Sequence, residues 1–284
     1  MDYCERLKLA AHHAENIICL GIDPVLEKIP IKEGSIKEKI VHFYAEMLEA
    51  MLEEKILPAM AKPNSAYFEQ YGFEGMQALK EIIAMFKKVN VMVLIDAKRG
   101  DIGTTSAAYA KAIFEVWGAD AMTVAPYMGA DSIGPFTEYC KSGEGVYVLT
   151  RTSNNGAKDL QDIETKSGKK LYEVTASHIV HSWHREGIGA VVGATYPEEL
   201  ESLSHFFVKS GKHIPLLIPG VGSQGGSAQE VVAILKKTHN PLYLHRINSS
   251  SAINYAYLKE GSTDFAGAAV RAMKKLKEEI GMVG

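Results

Sequence analysis

The chain has few cysteines and lacks the segments that mark secreted or membrane proteins. Its 284 residues include 3 cysteines, which have no CxxC spacing. An odd number of scattered thiols argues against a disulfide framework or a cysteine-based metal site. We therefore expect Cys4, Cys19 and Cys140 to be buried thiols in a protein of the reducing cytoplasm.

Long apolar runs and blocks of like charge are also missing. No stretch of about 18 apolar residues occurs, and residues 1–20 contain no signal-type apolar core, so we expect no membrane association. The net charge is -3, without a basic block, which argues against a nucleic-acid surface. The expected partners are therefore small molecules or other protein chains.

Short runs rich in apolar and β-branched residues alternate with longer helical patterns from end to end. Near-continuous apolar strands separated by helices indicate a parallel sheet that is covered on both faces. Eight such units in 284 residues favour an α/β fold with one closed (β/α)8 barrel, the TIM barrel, over an open sheet. The predicted strands lie in residues 16–23, 56–64, 91–98, 120–127, 145–153, 189–195, 214–222 and 241–250.

The chain shows no linker rich in proline, glycine or serine, so residues 1–284 are predicted to form a single (β/α)8 domain. Residues 2–14 form an extra N-terminal helical pattern, which we expect to close the bottom of the barrel. The segment 154–172 is long and polar, and it is predicted to be an active-site loop.

Polar side chains gather where the predicted strands end, and barrels of this kind build their active sites at the C-terminal strand ends. In LIDAKRGDIGTT, residues 94–105, an apolar strand changes abruptly into a charged segment. Charges beside an apolar core cost several kcal/mol unless they are paired, so these groups form either a structural ion cluster or a functional site. The strand-end candidates are Asp23, Lys62, Asn64, Asp96, Lys98, Arg151, Thr152 and Ser153.

The charges in this segment favour a lysine that acts as a proton donor. Asp96 and Lys98 are two residues apart on an extended segment, so their side chains project to the same side. Lys62 and Asp101 are candidates for the same cluster, which would alternate lysine and aspartate. Neighbouring carboxylates keep an ammonium protonated, whereas a Schiff-base lysine needs a lowered pKa. We therefore predict that Lys98 donates a proton and stabilises a carbanion.

The turn GVGSQG, residues 220–225, follows a predicted strand and precedes a helix, whose start is indicated by Ser227 and Glu230. Its backbone amides suit an anion, and barrels commonly bind phosphate after the seventh and eighth strands. A dinucleotide site would also need an acidic residue after the next strand, and residues 245–251 supply none. The turn thus predicts phosphate binding without a nicotinamide cofactor.

Three histidines occur at helical spacing, and two of them could share a face and bind a metal ion. No nearby carboxylate completes a ligand set, and the segment lies in a crossover helix instead of at a strand end. We therefore expect His178, His181 and His184 to be solvated or core-edge residues, and we predict no metal site.

Several motifs occur in a diagnostic order: GIDP, KPNSAYFE, DAKRGDIGTT, TRTSN and PGVGSQGG. Together they resemble the orotidine 5'-phosphate decarboxylases, in their longer bacterial and archaeal-type subgroup, over nearly the whole chain. The DxKxxD core is shared with related phosphosugar enzymes, whereas RGDIGTT, KPN and TRTSN are more specific. The resemblance implies a lyase that decarboxylates orotidine 5'-phosphate to uridine 5'-phosphate (UMP) without a metal or cofactor.

The resemblance also implies a role for each motif. Lys98 would protonate C6 of the pyrimidine, Asp96 would lie beside the substrate carboxylate, and Lys62 would hold the charge network. Asp101 and Thr105 would reach the neighbouring subunit's site, which implies a homodimer with shared active sites. Substrate would also contact Asp23 and Asn64 at the ribose, Thr152 and Ser153 at the pyrimidine edge, and Pro219, Gly220, Gly222 and Gln224 at the phosphate.

The chain departs from the family pattern after the eighth strand. Family members usually have an arginine that clamps the phosphate, and this chain has Ser251 at that place in INSSSAI. A charge-assisted bidentate contact is stronger than a neutral one by about 1–2 kcal/mol. We therefore expect phosphate affinity to be weaker or relocated, and whether Arg246 substitutes for the arginine stays open at this point.

Two other interpretations use the same residues. A magnesium-dependent phosphosugar decarboxylase or hexulose-phosphate synthase shares DxKxxD and would be sensitive to EDTA. A non-catalytic sensor of phosphate ligands would use the charged cluster only as structure, and its Lys98→Ala variant would still bind ligand.

Overall fold

Eight parallel strands close into a barrel in sequence order, as the alternating pattern predicts. The structure is a computed structural model that describes residues 1–222 and 224–281. Each strand pairs with the next one, and β8 pairs with β1 to close the ring. The strands are β1 (Ile18–Ile22), β2 (Met60–Pro63), β3 (Met92–Arg99), β4 (Ala121–Val124), β5 (Gly145–Arg151), β6 (Ile188–Val192), β7 (Leu216–Ile218) and β8 (Arg246–Ser249).

Helices cover the outside of the barrel and pack their apolar faces on the strands in one large core. Their starts follow sequence signals: Ser35 accepts a hydrogen bond from the amide of Glu38, whose carboxylate accepts one from the amide of Ser35. The helices are α1 (Tyr3–Ala14), α2 (Ile36–Glu53), α3 (Ser65–Glu69), α4 (Gly72–Lys88), α5 (Gly103–Lys111), α6 (Ala130–Thr137), α7 (Lys158–Gln161), α8 (Leu171–Val180), α9 (Pro197–Lys209), α10 (Ala228–Lys237), α11 (Ser251–Asn254), α12 (Ala256–Glu260) and α13 (Phe265–Ile280). Single turns occupy Leu26–Lys28, Ala112–Val116, Glu138–Ser142, Asn155–Ala157 and Leu242–Leu244.

Helix α1 closes the bottom of the barrel, as expected from residues 2–14. Tyr3 and Leu7 are fully buried against side chains that fill the barrel interior. The hydroxyl of Tyr3 donates to that of Tyr147 at 3.2 Å. The ring of Tyr3 lies 2.2 Å from where a Cβ on Gly145 would stand, so only glycine fits at the start of β5.

Arg246 lies at this same bottom end, because β8 begins with it. Its buried guanidinium donates to the carbonyl oxygens of Leu7 at 2.7 Å, Tyr243 at 3.0 Å and His245 at 2.8 Å. Gly220, Gly222 and Gln224 follow the C-terminal end of β7, at the opposite end of the barrel. Arg246 therefore anchors α1 and does not take the place of the arginine expected after β8.

The three cysteines are buried, and His178 packs on an aromatic side chain. All three cysteines are buried free thiols, and burial raises the pKa of each to about 12. His178 stacks on Trp183 with ring centroids 4.8 Å apart. Among residues 1–222 and 224–281, no three histidine, cysteine or acidic side chains lie close enough to hold a metal ion. In the same part of the chain, no helix is both long and apolar enough to cross a membrane.

Candidate active site

A cavity of about 740 Å³ opens at the C-terminal ends of the strands. Its walls come from the strands and from the loops that follow them, so residues far apart in sequence meet there. Most of the predicted site residues line it, namely Asp23, Lys62, Asn64, Asp96, Lys98, Thr152, Ser153, Pro219, Gly220, Gln224 and Ser251.

Asp96 stands at the centre of the charged cluster, between two lysines. Lys62 on β2 donates to Oδ2 of Asp96 at 2.9 Å, and Lys98 donates to Oδ1 at 2.6 Å. Asp96 and Lys62 are buried, whereas the side chain of Lys98 is 48% exposed and lines the cavity. Both lysines line the cavity, and the Lys98 ammonium is the more accessible of the two to a ligand.

The cluster fixes the charges of its buried members. Burial favours neutral Asp96, but the ammonium groups of Lys62 and Lys98 outweigh it and hold the pKa of Asp96 well below its usual range. Burial likewise favours neutral Lys62, but the carboxylates of Asp96 and Asp23 raise the pKa of Lys62 above its usual value. A permanent carboxylate thus lies beside the Lys98 ammonium at neutral pH.

Two further residues offer polar groups beside this cluster. Oδ2 of Asp23, just after β1, accepts a hydrogen bond from the hydroxyl of Ser250. Oδ1 of Asp23 is buried without a partner in the described chain, so it can accept a ligand hydroxyl. Asn64 caps α3 by accepting the amide of Ala66 at 3.2 Å, which leaves its Nδ2 to donate elsewhere.

The segment after β5 is held by internal hydrogen bonds. The amide of Thr152 donates to Oε1 of Gln161 at 2.9 Å, and Nε2 of Gln161 donates to the hydroxyl of Thr152 at 2.7 Å. That hydroxyl donates in turn to Oδ1 of Asn154 at 2.7 Å. Gln161 belongs to α7, so the predicted loop 154–172 is partly helical, and Gln161 holds Thr152 in place from its own position on the cavity wall.

Arg151, the last residue of β5, fastens the same segment to the barrel. Its fully buried guanidinium lies 4.1 Å from the ring centroid of Tyr196 and 5.4 Å from that of Tyr172. It also pairs with Asp162 at 3.4 Å and Glu199 at 3.3 Å. The arginine therefore joins residues after β5 to residues after β6.

The glycine-rich turn after β7 closes one side of the cavity. Gly220 has a φ of +98°, and a Cβ there would lie 3.2–3.3 Å from Ser153, Thr195 and Gln224, so glycine is required. The amide of Gly222 donates to the carbonyl of Gly226 at 3.1 Å and shapes the turn. Ser251, at the start of α11, lines the cavity as well.

The cavity lining in the described part of the chain does not include Asp101, Thr105 or Gly222. Oδ1 of Asp101 accepts the amide of Ile102 at 2.7 Å, and its carbonyl accepts the hydroxyl of Ser106 at 2.8 Å. Asp101 and Thr105 are partly exposed between β3 and the end of α5. They lie outside the cavity of a single chain.

The sequence patterns missed several polar residues of the cavity. The fourth strand looked apolar at its end, yet Thr123 lines the cavity from inside β4. Threonine is common in β-strands, so nothing in the sequence distinguished this threonine as a residue of the site. The other polar residues that were missed are Lys28, Asn248 and Ser250, whereas Asn154 and Gln161 lie in the segment 154–172 that the sequence predicts to be an active-site loop.

Comparison with known proteins gives one consistent result. The model of the orotidine 5'-phosphate decarboxylase / HUMPS family matches residues 18–240. An orotidine 5'-phosphate decarboxylase of Verminephrobacter eiseniae is 40% identical over 275 residues, covering 95% of this chain and 94% of that protein. One from Haloarcula marismortui is 41% identical over 235 residues, covering 82% and 80%. The structure of Leishmania donovani OMP decarboxylase superposes with a TM-score of 0.76 at 28% identity, covering 99% of both chains.

Proposed function

The chain belongs to the orotidine 5'-phosphate decarboxylase / HUMPS family, and we propose that it decarboxylates orotidine 5'-phosphate to UMP in pyrimidine biosynthesis. The observation that carries the proposal is the Lys62–Asp96–Lys98 array on the wall of the cavity. The three buried, unpaired thiols fit a reducing compartment, and we propose the cytoplasm.

In this proposal Lys98 is the acid of the reaction. The bond between C6 and the carboxylate breaks, carbon dioxide leaves, and the electron pair stays on C6. The Lys98 ammonium stabilises that carbanion and then donates a proton from Nζ to C6. Asp96 lies beside the departing carboxylate and keeps the Lys98 ammonium in position, and Lys62 neutralises Asp96 from its other side. A fixed ammonium group supplies the stabilisation, so the proposed reaction uses no metal or cofactor.

The remaining cavity residues bind the nucleotide. Asp23 and Asn64 contact the ribose hydroxyls through Oδ1 and Nδ2, the atoms not engaged in the contacts described above. Ser153 contacts the pyrimidine edge, beside Thr152, whose amide and hydroxyl are engaged by Gln161 and Asn154.

The phosphate lies against the turn after β7 and the start of α11. Pro219, Gly220, Gln224 and Ser251 line this side of the cavity, and Gly222 shapes the turn. Ser251 offers a neutral hydroxyl where the family usually has an arginine, so we propose weaker phosphate binding here. Contacts with the phosphate can still speed the reaction at C6, provided that they are stronger in the transition state than in the bound substrate.

We also propose a homodimer in which Asp101 and Thr105 complete the partner's site. Support comes from exposed apolar side chains in the neighbouring loops after β3 and β4: Ile102 is 57%, Tyr127 82% and Met128 46% exposed. The helices that follow these loops, α5 and α6, pack against each other, so the exposed apolar side chains lie on the same side of the barrel, as at an interaction surface.

The test of the proposed reaction is the ultraviolet absorbance of orotidine 5'-phosphate mixed with the protein in EDTA. We expect rapid loss of the orotate chromophore and formation of UMP. Turnover that appears only after magnesium and a phosphosugar are added would overturn the proposal in favour of a metal-dependent relative. Binding of UMP without any turnover would instead support a ligand sensor.

A further inference from the structure

Thr123 lies in the middle of β4, and its side chain is 1% exposed and lines the cavity. Its neighbours Met122 and Val124 belong to the large apolar core between barrel and helices. Because side chains alternate along a strand, Thr123 points to the opposite side from them, towards the barrel axis. The hydroxyl is therefore placed among the charged groups of the site.

This single hydroxyl joins the two residues of the charged pair. It accepts a hydrogen bond from the backbone amide of Lys98 at 2.9 Å and donates one to Oδ1 of Asp96 at 2.8 Å. The direction of both bonds is fixed, because an amide can only donate and an ionised carboxylate can only accept. Oδ1 of Asp96 is the oxygen that also accepts Nζ of Lys98 at 2.6 Å. Thr123 thus closes a ring of contacts that contains the backbone and the side chain of Lys98.

The backbone at Lys98 explains why such a support is needed. Lys98 has a φ of +48°, a left-handed conformation that residues other than glycine and asparagine rarely adopt. The pairing of β3 with β4 shifts there: Ile95 pairs with Met122 and Arg99 with Val124, so four steps along β3 match two along β4. This irregularity turns the amide of Lys98 to a side-chain acceptor, the hydroxyl of Thr123.

We propose that Thr123 is a positioning residue that holds the Lys98 ammonium and the Asp96 carboxylate in register for proton transfer to substrate. The inference rests on the proposed decarboxylase function, in which Lys98 is the acid. The Lys98 side chain is half exposed, and a long side chain needs a fixed backbone to keep its ammonium at one point. A misplacement of about 1 Å at a reacting group can cost about 100-fold in rate.

The variants Thr123→Val and Thr123→Ser separate the hydroxyl from the shape of the side chain. We expect Thr123→Val to lower kcat by about 10- to 100-fold while KM and UMP binding change little. Thr123→Ser keeps the hydroxyl and should retain kcat within about threefold of the parent. Thr123→Ala, which also lacks the hydroxyl, replaces the valine variant if that variant does not fold. Thr137→Val, which removes a buried hydroxyl from α6, is the matched control and should leave kcat unchanged.

Amide hydrogen exchange at Lys98 gives a readout that does not depend on turnover. Loss of the Thr123 acceptor should speed exchange at this amide in Thr123→Val and leave it slow in Thr123→Ser. Unchanged exchange in the valine variant, or a serine variant as slow in turnover as the valine variant, would overturn the positioning role. If the parent protein is inactive but exchange responds as expected, the proposed function fails while the positioning geometry stands.

Discussion

His245 lies directly before β8, at the end of the barrel opposite the cavity, and we expect it to make the stability of the protein depend on pH. It is fully buried, and its Nδ1 accepts the amide of Leu216 at 3.0 Å. Burial, helped by the neighbouring Arg246 cation, lowers the pKa of His245 to about 3. In the unfolded chain a histidine titrates near pH 6.5, so the unfolded state binds an extra proton between these two values.

The free energy of unfolding should therefore fall as the pH drops from about 6.5 towards 3, by up to about 1.4 kcal/mol per pH unit from this residue. Urea unfolding at several pH values measures it. His245→Asn, which keeps an acceptor for Leu216, should show a shallower dependence, and His205→Asn on the surface of α9 should match the parent. Equal slopes for His245→Asn and the parent would contradict this assignment.

In the proposed function, Ser251 on the cavity wall faces the phosphate of the substrate. Replacing it with arginine restores a charge-assisted contact, worth about 1–2 kcal/mol or roughly tenfold in affinity. We expect Ser251→Arg to lower KM for orotidine 5'-phosphate by about that factor, because the new group touches only the phosphate. Ser202→Arg, on the exposed side of α9, controls for the added charge. An unchanged KM in Ser251→Arg would show that the serine does not weaken phosphate binding.

At the scale of elements, Arg151 fixes the segment after β5 through its contacts with Tyr196, Tyr172, Asp162 and Glu199. Arg151→Met keeps much of the volume and removes the charge. Because Asp162 and Glu199 are about a quarter and a fifth exposed, we expect a moderate loss of about 1–3 kcal/mol of stability, measured by urea unfolding. Proteolysis within residues 154–170 should become faster as well. A loss no larger than that of the exposed Arg185→Met would contradict the anchoring role.

The elements themselves were predictable from sequence because their signals are local. Apolar runs alternating with helical patterns identified all eight strands and α1. Ser227 and Glu230 also marked the start of α10 correctly, since the hydroxyl of Ser227 accepts the amide of Glu230 at 3.3 Å. Two features depend on contacts between distant parts of the chain, so the sequence patterns did not predict them. Arg246 could be placed only once β8 was known to begin there, since a strand of four residues separates the two ends of the barrel. The role of Thr123 depends on the register shift between β3 and β4, which no pattern within either strand reveals.

At the scale of the whole molecule, the exposed patch after β3 and β4 predicts self-association. Tyr127→Asp places a charge on the patch, and we expect it to convert dimers to monomers in sedimentation velocity experiments. Activity should fall with it, because Asp101 and Thr105 would no longer reach a partner's site. Leu258→Asp, an exposed leucine on α12, is the control and should leave the dimer intact. A dimeric, fully active Tyr127→Asp variant would place the interface elsewhere.

Within the Lys62–Asp96–Lys98 array, we propose that the Lys98 ammonium is the group that carries out the chemistry. The most direct measurement is the rate of orotidine 5'-phosphate decarboxylation in EDTA for the parent, Lys98→Ala and Lys111→Ala, an exposed lysine of α5. Lys98→Ala should lose at least about 10⁴-fold in kcat, since it removes both a proton donor and a charge, and it should still bind UMP. Lys111→Ala should match the parent. A Lys98→Ala variant that decarboxylates at close to the parent rate would contradict the claim.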